Sequence, residues 1–220
     1  MRKLKKISSK RSKNLDIPKS PSQKLVEEQN RDGRKIRSSK SRELIIDAMI
    51  SLVNNGVYVP TAQQVADEAG VATRTIFRHF VDMDHLLAEI DVRLSVSYAS
   101  YFLGYDRSGT REERVFHAME VFARAYTKLT PINEAGIATR WRSSIIERSI
   151  IHYNRMISKE LELWIPEIKK IDEKSRQAID AVASFEYFNR LRVTQGLSKS
   201  ACIDITSKLI LSVLKMRNGI

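Results

Sequence analysis

The sequence predicts an all-α protein, on three observations. Glycine and proline are scarce, 8 and 5 residues in 220, while 42% of residues are hydrophobic. That balance suits long helices better than a turn-rich all-β chain. Apolar residues recur at helical spacing through most of the chain. Two capping-box signatures, Thr61 with Gln64 and Thr110 with Glu113, mark helix starts at which each side chain can satisfy an orphan backbone donor.

Taken in order, the first segment is an arm. Residues 1–37 hold 13 Lys and Arg against 4 Asp and Glu, and they show no sustained apolar period. Such a stretch buries too little to offset its chain entropy, so a disordered arm is expected. Two roles fit it: a solubilising tail, or a polycation that meets phosphates or enters a minor groove.

From Ser38 the pattern changes, and Ile45, Ala48, Met49 and Leu52 form one apolar stripe of a helix that closes near Asn55-Gly56. A short helix then begins at Thr61, with Val65, Ala66 and Ala69 inward. Gly70 supplies a turn, and a second short helix carries Val71, Ile76 and Phe80 inward. Small inner residues on the first helix let two helices cross closely. The outer face of the second presents Thr73, Arg74, Thr75, Arg78 and His79, side chains able to reach phosphates or base edges.

Beyond Asp82 the spacing predicts a helix from Leu86 to about Tyr105 and another opening at Thr110 and carrying Val115, Phe116, Met119, Phe122, Ala123 and Tyr126. Thr130-Pro131 reads as a new cap and first helical position. Further helices are expected over about 140–164, over 172–195 closed by Gly196, and from Ser198 to about Met216.

Residues 61–80, TAQQVADEAGVATRTIFRHF, with the flanking 38–60 and the Leu86-Leu87 pair that follows, resemble the DNA-binding domain of the TetR family of bacterial transcriptional regulators. The likeness is carried by Thr61, Val65, Ala66, Ala69, Gly70, Val71, Thr75, Ile76, Phe77, His79 and Phe80 over about 50 residues. It implies a three-helix helix-turn-helix domain over 38–84 and a C-terminal helical ligand-binding and dimerisation domain over 85–220. It also implies that Thr61, Gln63, Thr73, Arg74, Thr75, Phe77, Arg78 and His79 contact double-stranded operator DNA, with Arg74 suited to bidentate guanine recognition. Three positions depart from the family pattern. Ala72 lacks the hydroxyl that would cap the recognition helix, leaving Thr73 as the substitute cap; Phe77 lacks a phenolic hydroxyl; Met83 stands where a Lys is frequent. With 4 basic against 7 acidic residues over 38–90, these losses assign part of the phosphate attraction to the arm.

Residues 175–217 resemble the same family through Ser184-Phe185-Glu186-Tyr187-Phe188, Leu191-Arg192 and Gln195-Gly196-Leu197-Ser198, the junction of its last two long helices. The family pairs these helices with their twofold mates, and Ile179, Val182, Phe188, Ile205, Leu209 and Val213 supply apolar stripes for that face or for burial within one chain. A homodimer would double a short recognition helix on a roughly palindromic operator. Tyr126, Trp141 and Tyr153 are candidates for an effector cavity, or for core. Repression relieved by an unidentified small molecule is the expected control.

Other classes have less behind them. His79, His85, His117 and His152 do not cluster with carboxylates at metal-ligand spacing, and no Gly-rich phosphate loop or catalytic constellation occurs, so neither an enzyme nor a cofactor or metal is expected. A nonspecific nucleic-acid or membrane-surface protein would rest on the basic arm alone. The lone Cys202 excludes an intramolecular disulfide; the first 24 residues do not read as a signal peptide, and no apolar run reaches membrane-spanning length. The expectation is a cytoplasmic protein with no membrane partner.

Overall fold

A computed structural model describes residues 21–215, with side chains placed from residue 35 onward. Among the described residues all regular structure is helical: α1 Pro21–Asn54, α2 Ala62–Glu68, α3 Thr73–His79, α4 Met83–Ser100, α5 Arg111–Thr139, α6 Ser144–Trp164, α7 Glu173–Val182, α8 Phe185–Asn189 and α9 Lys199–Lys215. A 3₁₀ turn at Pro166–Lys170 and a π turn at Arg190–Thr194 complete it. No helix of the described residues is long and apolar enough to cross a membrane. The helix α1 starts at Pro21, upstream of the expected Ser38. Residues 1–20 of the arm lie outside the described residues.

Residues 1–40 and 41–220 form separate units, and the second holds two cores. The smaller core joins Ile45, Ile46 and Met49 of α1, Val65 and Ala66 of α2, Ile76 of α3 and Leu86 and Ile90 of α4. The larger surrounds α5 and includes Tyr98, from the far end of α4. Thus α4 contributes to both cores, one at each end.

The larger core centres on Tyr126, which is fully buried against Phe102, Phe122, Phe185 and Phe188 with ring centroids 5.7–6.1 Å away. Burying each such side chain contributes about 1.5–3 kcal/mol. Its hydroxyl donates to the Ala183 carbonyl at 2.8 Å. That carbonyl needs a partner because the expected continuous helix over 172–195 is broken. Ser184 caps α8 by accepting from the Tyr187 amide, which in an unbroken helix would have bonded Ala183. The break turns Phe185 and Phe188 inward, so a tertiary contact and a local cap stabilise the same kink.

Two further boundaries differ from the sequence reading. The helix α4 stops at Ser100, and Gly104 at φ +83° lets Phe102 turn fully inward. Conversely α5 runs through Thr130-Pro131 without restarting. Pro131 has no amide to offer the Thr127 carbonyl, a loss that weakens an isolated helix. Buried Tyr126 and Leu129 before it, and Ile132 and Thr139 after it, hold both halves on one axis.

Candidate nucleic-acid interface

The pair α2–α3 is built locally. Thr61 caps α2: its Oγ1 accepts from the Gln64 amide at 3.2 Å, and its own amide donates to Gln64 Oε1 at 2.9 Å. Gly70 takes φ +64°, and the Val71 amide closes the turn on the Ala66 carbonyl at 3.0 Å. Only glycine adopts that φ without strain. Val65, Ala66 and Ile76 are wholly buried, which fixes the roll of α3.

That roll exposes Arg74, Phe77 and Arg78, at i, i+3 and i+4 on one face. Phe77 is 50% exposed, a large apolar ring with no intrachain role to match its size. Neither arginine forms an ion pair among the described residues, whereas the surrounding acids are occupied. Arg93 holds Glu43 and Asp47, each at 2.9 Å; Arg42 holds Glu89 at 2.6 Å; Ser51 donates to Glu68 at 2.7 Å. Three of the seven acids of this region, Glu43, Asp47 and Glu89, are thus held by arginines, while two guanidinium groups on α3 stay exposed.

The other candidates are more constrained. Ala72 is the first cap of α3 and makes no side-chain bond, as the sequence implied. Thr73 does not take over the cap: its hydroxyl donates to Gln63 Oε1 at 2.7 Å, and Gln63 Nε2 donates to Asp67 at 2.7 Å. Within α3 the Thr73 hydroxyl lies beyond reach of its own cap position, and the facing Gln63 offers an acceptor. Gln63 and Thr73 thus tie α2 to α3, while Thr75 is half-buried. His79 is also half-buried; its Nε2 is enclosed without a partner, and burial, then Arg78 and Arg42, hold its pKa below the ordinary value. A neutral ring at pH 7 follows.

A second feature lies beside this domain. A cavity of about 440 Å³ is walled by α1, the 58–62 connection, α4, the second half of α5 and the first half of α6. Of the three expected effector residues only Tyr153 lines it. Tyr126 is filled core, because four phenylalanine rings enclose it. Trp141 is 80% exposed in the turn before α6, its Nε1 on the Ala138 carbonyl. Sequence reasoning missed Asp91 and Tyr98, two turns apart on α4, and Asn133 on α5, because nothing in the spacing shows that the two helices face one cavity here. Tyr98 stacks on Tyr153 at 4.4 Å, and its hydroxyl donates to Asn133 Oδ1 at 3.2 Å. The Tyr153 hydroxyl donates to Asp91 Oδ1 at 3.0 Å. Burial pushes the Tyr98 phenol up to about 12, with the Glu186 carboxylate adding to the rise; burial and Asp91 raise Tyr153.

The expected partner-facing stripes separate likewise. Ile179 is fully buried and Phe188 is 9% exposed, both packed inside this chain in the larger core, Phe188 being turned there by the break at Ser184. Leu209 is 39% exposed, and Val182, Ile205 and Val213 are partly buried.

Two short packed helices, a glycine turn between them and an outward cationic face on the second define a helix-turn-helix DNA-binding protein. Residues 45–90 match the family described as bacterial regulatory proteins, tetR family. Residues 45–90 therefore form a DNA-binding domain of the TetR-family type. No curated protein matches the chain in sequence. Its fold is shared with solved structures at low identity. A protein assigned as a transcriptional regulator from Pseudomonas aeruginosa PAO1 is 17% identical, with TM-score 0.59 over 80% of this chain and 92% of its own. A transcriptional regulator from Rhodococcus sp. Rha1 is 14% identical, with TM-score 0.58 over 81% and 96%. One from Mesorhizobium loti MAFF303099, assigned to the TetR family, is 14% identical, with TM-score 0.53 over 82% and 98%.

Proposed function

We propose that the protein is a ligand-responsive repressor that binds a roughly palindromic operator as a homodimer. The observation that carries this reading is the unpaired Arg74–Phe77–Arg78 face of α3, held outward by a fully buried Ile76. Guanidinium groups at i and i+4 suit a base edge and the adjoining phosphate, and Phe77 between them suits a thymine methyl or a sugar. Thr61, Gln63, Thr73 and Thr75 sit around that face as nearby polar groups, with Gln63 and Thr73 acting mainly by fixing α3. His79 sets the helix end rather than a phosphate contact, since its ring is neutral and partly enclosed.

A seven-residue helix reads few base pairs, so a twofold mate supplies the second half-site. The surface for it is the outer stripe of α9, Ile205, Leu209 and Val213, with Val182 of α7. An effector in the cavity beside α1 and α4 lowers operator affinity by as much as it prefers the non-binding arrangement.

Selection of sites from a random duplex pool by the full chain tests the reading. The expected product is a short inverted repeat, bound at least about a thousandfold more tightly than random DNA at physiological salt. Equal affinity for all duplexes would instead indicate a nonspecific nucleic-acid binder, and a shifted complex holding one chain per site would remove the dimer.

A further inference from the structure

We propose that the cavity between α1, α4, α5 and α6 takes an apolar molecule bearing a single positive charge. This rests on the effector role given to that cavity above and names the chemistry of its ligand. The walls are mainly aliphatic, from Met49 and Val53 of α1 to Leu87 and Ile150 across the space. Such walls favour any molecule that leaves water, at about 25 cal/mol per Å² of apolar surface, and select no charge.

Selection comes from the polar wall. The stacked rings of Tyr98 and Tyr153 offer a π face, and the two tyrosines are flanked by carboxylates. Asp91 accepts from the Tyr153 hydroxyl at 3.0 Å, and Glu186 lies within electrostatic reach of Tyr98. Asp84 lines the cavity too. Arg142 opposes these acids; it and Glu186 are exposed, whereas Asp84 and Asp91 are partly buried and leave the inner wall acidic. A cation gains both the ring face and the carboxylates; an anion meets repulsion from the same groups.

Asn133, whose side-chain oxygen accepts from the Tyr98 hydroxyl at 3.2 Å, stands on the same wall and fixes the Tyr98 ring. The occupant also touches Met49 of α1, the Thr61 cap of α2 and Leu87 of α4, the elements that carry the recognition helix.

Titration calorimetry of the DNA-free full chain with decylamine (protonated at neutral pH), decanol and decyl sulfate, all below their micellar range, tests the proposal. Decylammonium should bind about tenfold more tightly than decanol, and decyl sulfate more weakly than either. Asp91→Asn should remove most of the preference for the amine while leaving decanol unchanged. Ser149→Phe, which fills the cavity from α6, should abolish binding of all three, and it carries the test if Asp91→Asn unfolds. Equal affinities, a preference for the sulfate, no binding by any probe, or undiminished binding to Ser149→Phe would each overturn the proposal. Operator affinity is measured separately with saturating decylamine. Cation-selective binding that leaves operator affinity unchanged would support the ligand chemistry while removing the regulatory reading.

Discussion

Arginines do opposite work in the two halves of the larger unit. On α3, Arg74 and Arg78 stand exposed without ion pairs, while neighbouring acids are held by Arg42, Arg93 and a serine. Around α5 and α6 the pattern reverses. Arg107 pairs with the buried Glu160 and lies 5.7 Å from the Trp164 ring; Arg114 bonds Glu167 at 2.5 Å and the Trp164 carbonyl at 3.0 Å. These arginines hold the 101–110 loop and the end of α6 onto α5. Regional charge, negative over 38–90 and positive beyond, therefore does not locate the cationic face: α3 presents two exposed arginines inside a region of net negative charge.

The strongest way to break this contrast is Arg107→Ala. It strands the Glu160 carboxylate, which is 4% exposed, and should cost about 3 kcal/mol in a urea unfolding series. That is the low end for a buried pair, because Arg107 is 31% exposed and partly screened. Little change would show that Glu160 does not need this partner, and the structural role of these arginines would fall. Tyr126→Phe sharpens the same side: the Ala183 carbonyl loses its donor inside the core, so unfolding should come about 1–3 kcal/mol earlier with operator binding intact.

Arg74→Ala tests the other side. Stability should stay within about 0.5 kcal/mol, since the side chain is exposed and unpaired. Operator affinity should fall by about 1–3 kcal/mol, concentrated at one base position if Arg74 reads guanine and uniform across sequences if it meets phosphate. A stability loss with unchanged DNA binding would make it another structural arginine. Deleting residues 1–30, which carry 9 Lys and Arg against 3 Asp and Glu, should flatten the salt dependence of operator binding by about 0.9 log units for each phosphate contact removed. An unchanged slope would confine DNA attraction to the folded domain.

The smallest effect belongs to His79. Burial lowers its folded-state pKa below the unfolded value of 6.5, so the unfolded chain binds the proton more readily. Its stabilising contribution is complete above that unfolded value and is lost as pH falls through the lowered folded pKa. An NMR titration of the ring should place its midpoint below 6.5; a midpoint above it would mean that the ring is solvated or paired with an acid.

Much of the helix-turn-helix was legible because its determinants are local. The Thr61–Gln64 cap, the positive φ at Gly70 and the inward Val65, Ala66 and Ile76 act within 20 residues of one another. The helix boundaries of the larger core were less so. Pro131 reads as a start and the 172–195 run reads as one helix, yet packing on both sides of Pro131 and the Tyr126–Ala183 bond invert both readings.

The sequence by itself determined the all-helical class and the outward cationic face of α3, since periodicity and capping are properties of neighbouring residues. Tertiary structure alone decided which tyrosine is sealed and which borders a cavity, and which arginines are paired. Those outcomes depend on side chains such as Asp91, Tyr98, Asn133 and Tyr153 that meet only when α4, α5 and α6 pack, and chain spacing carries no record of that meeting.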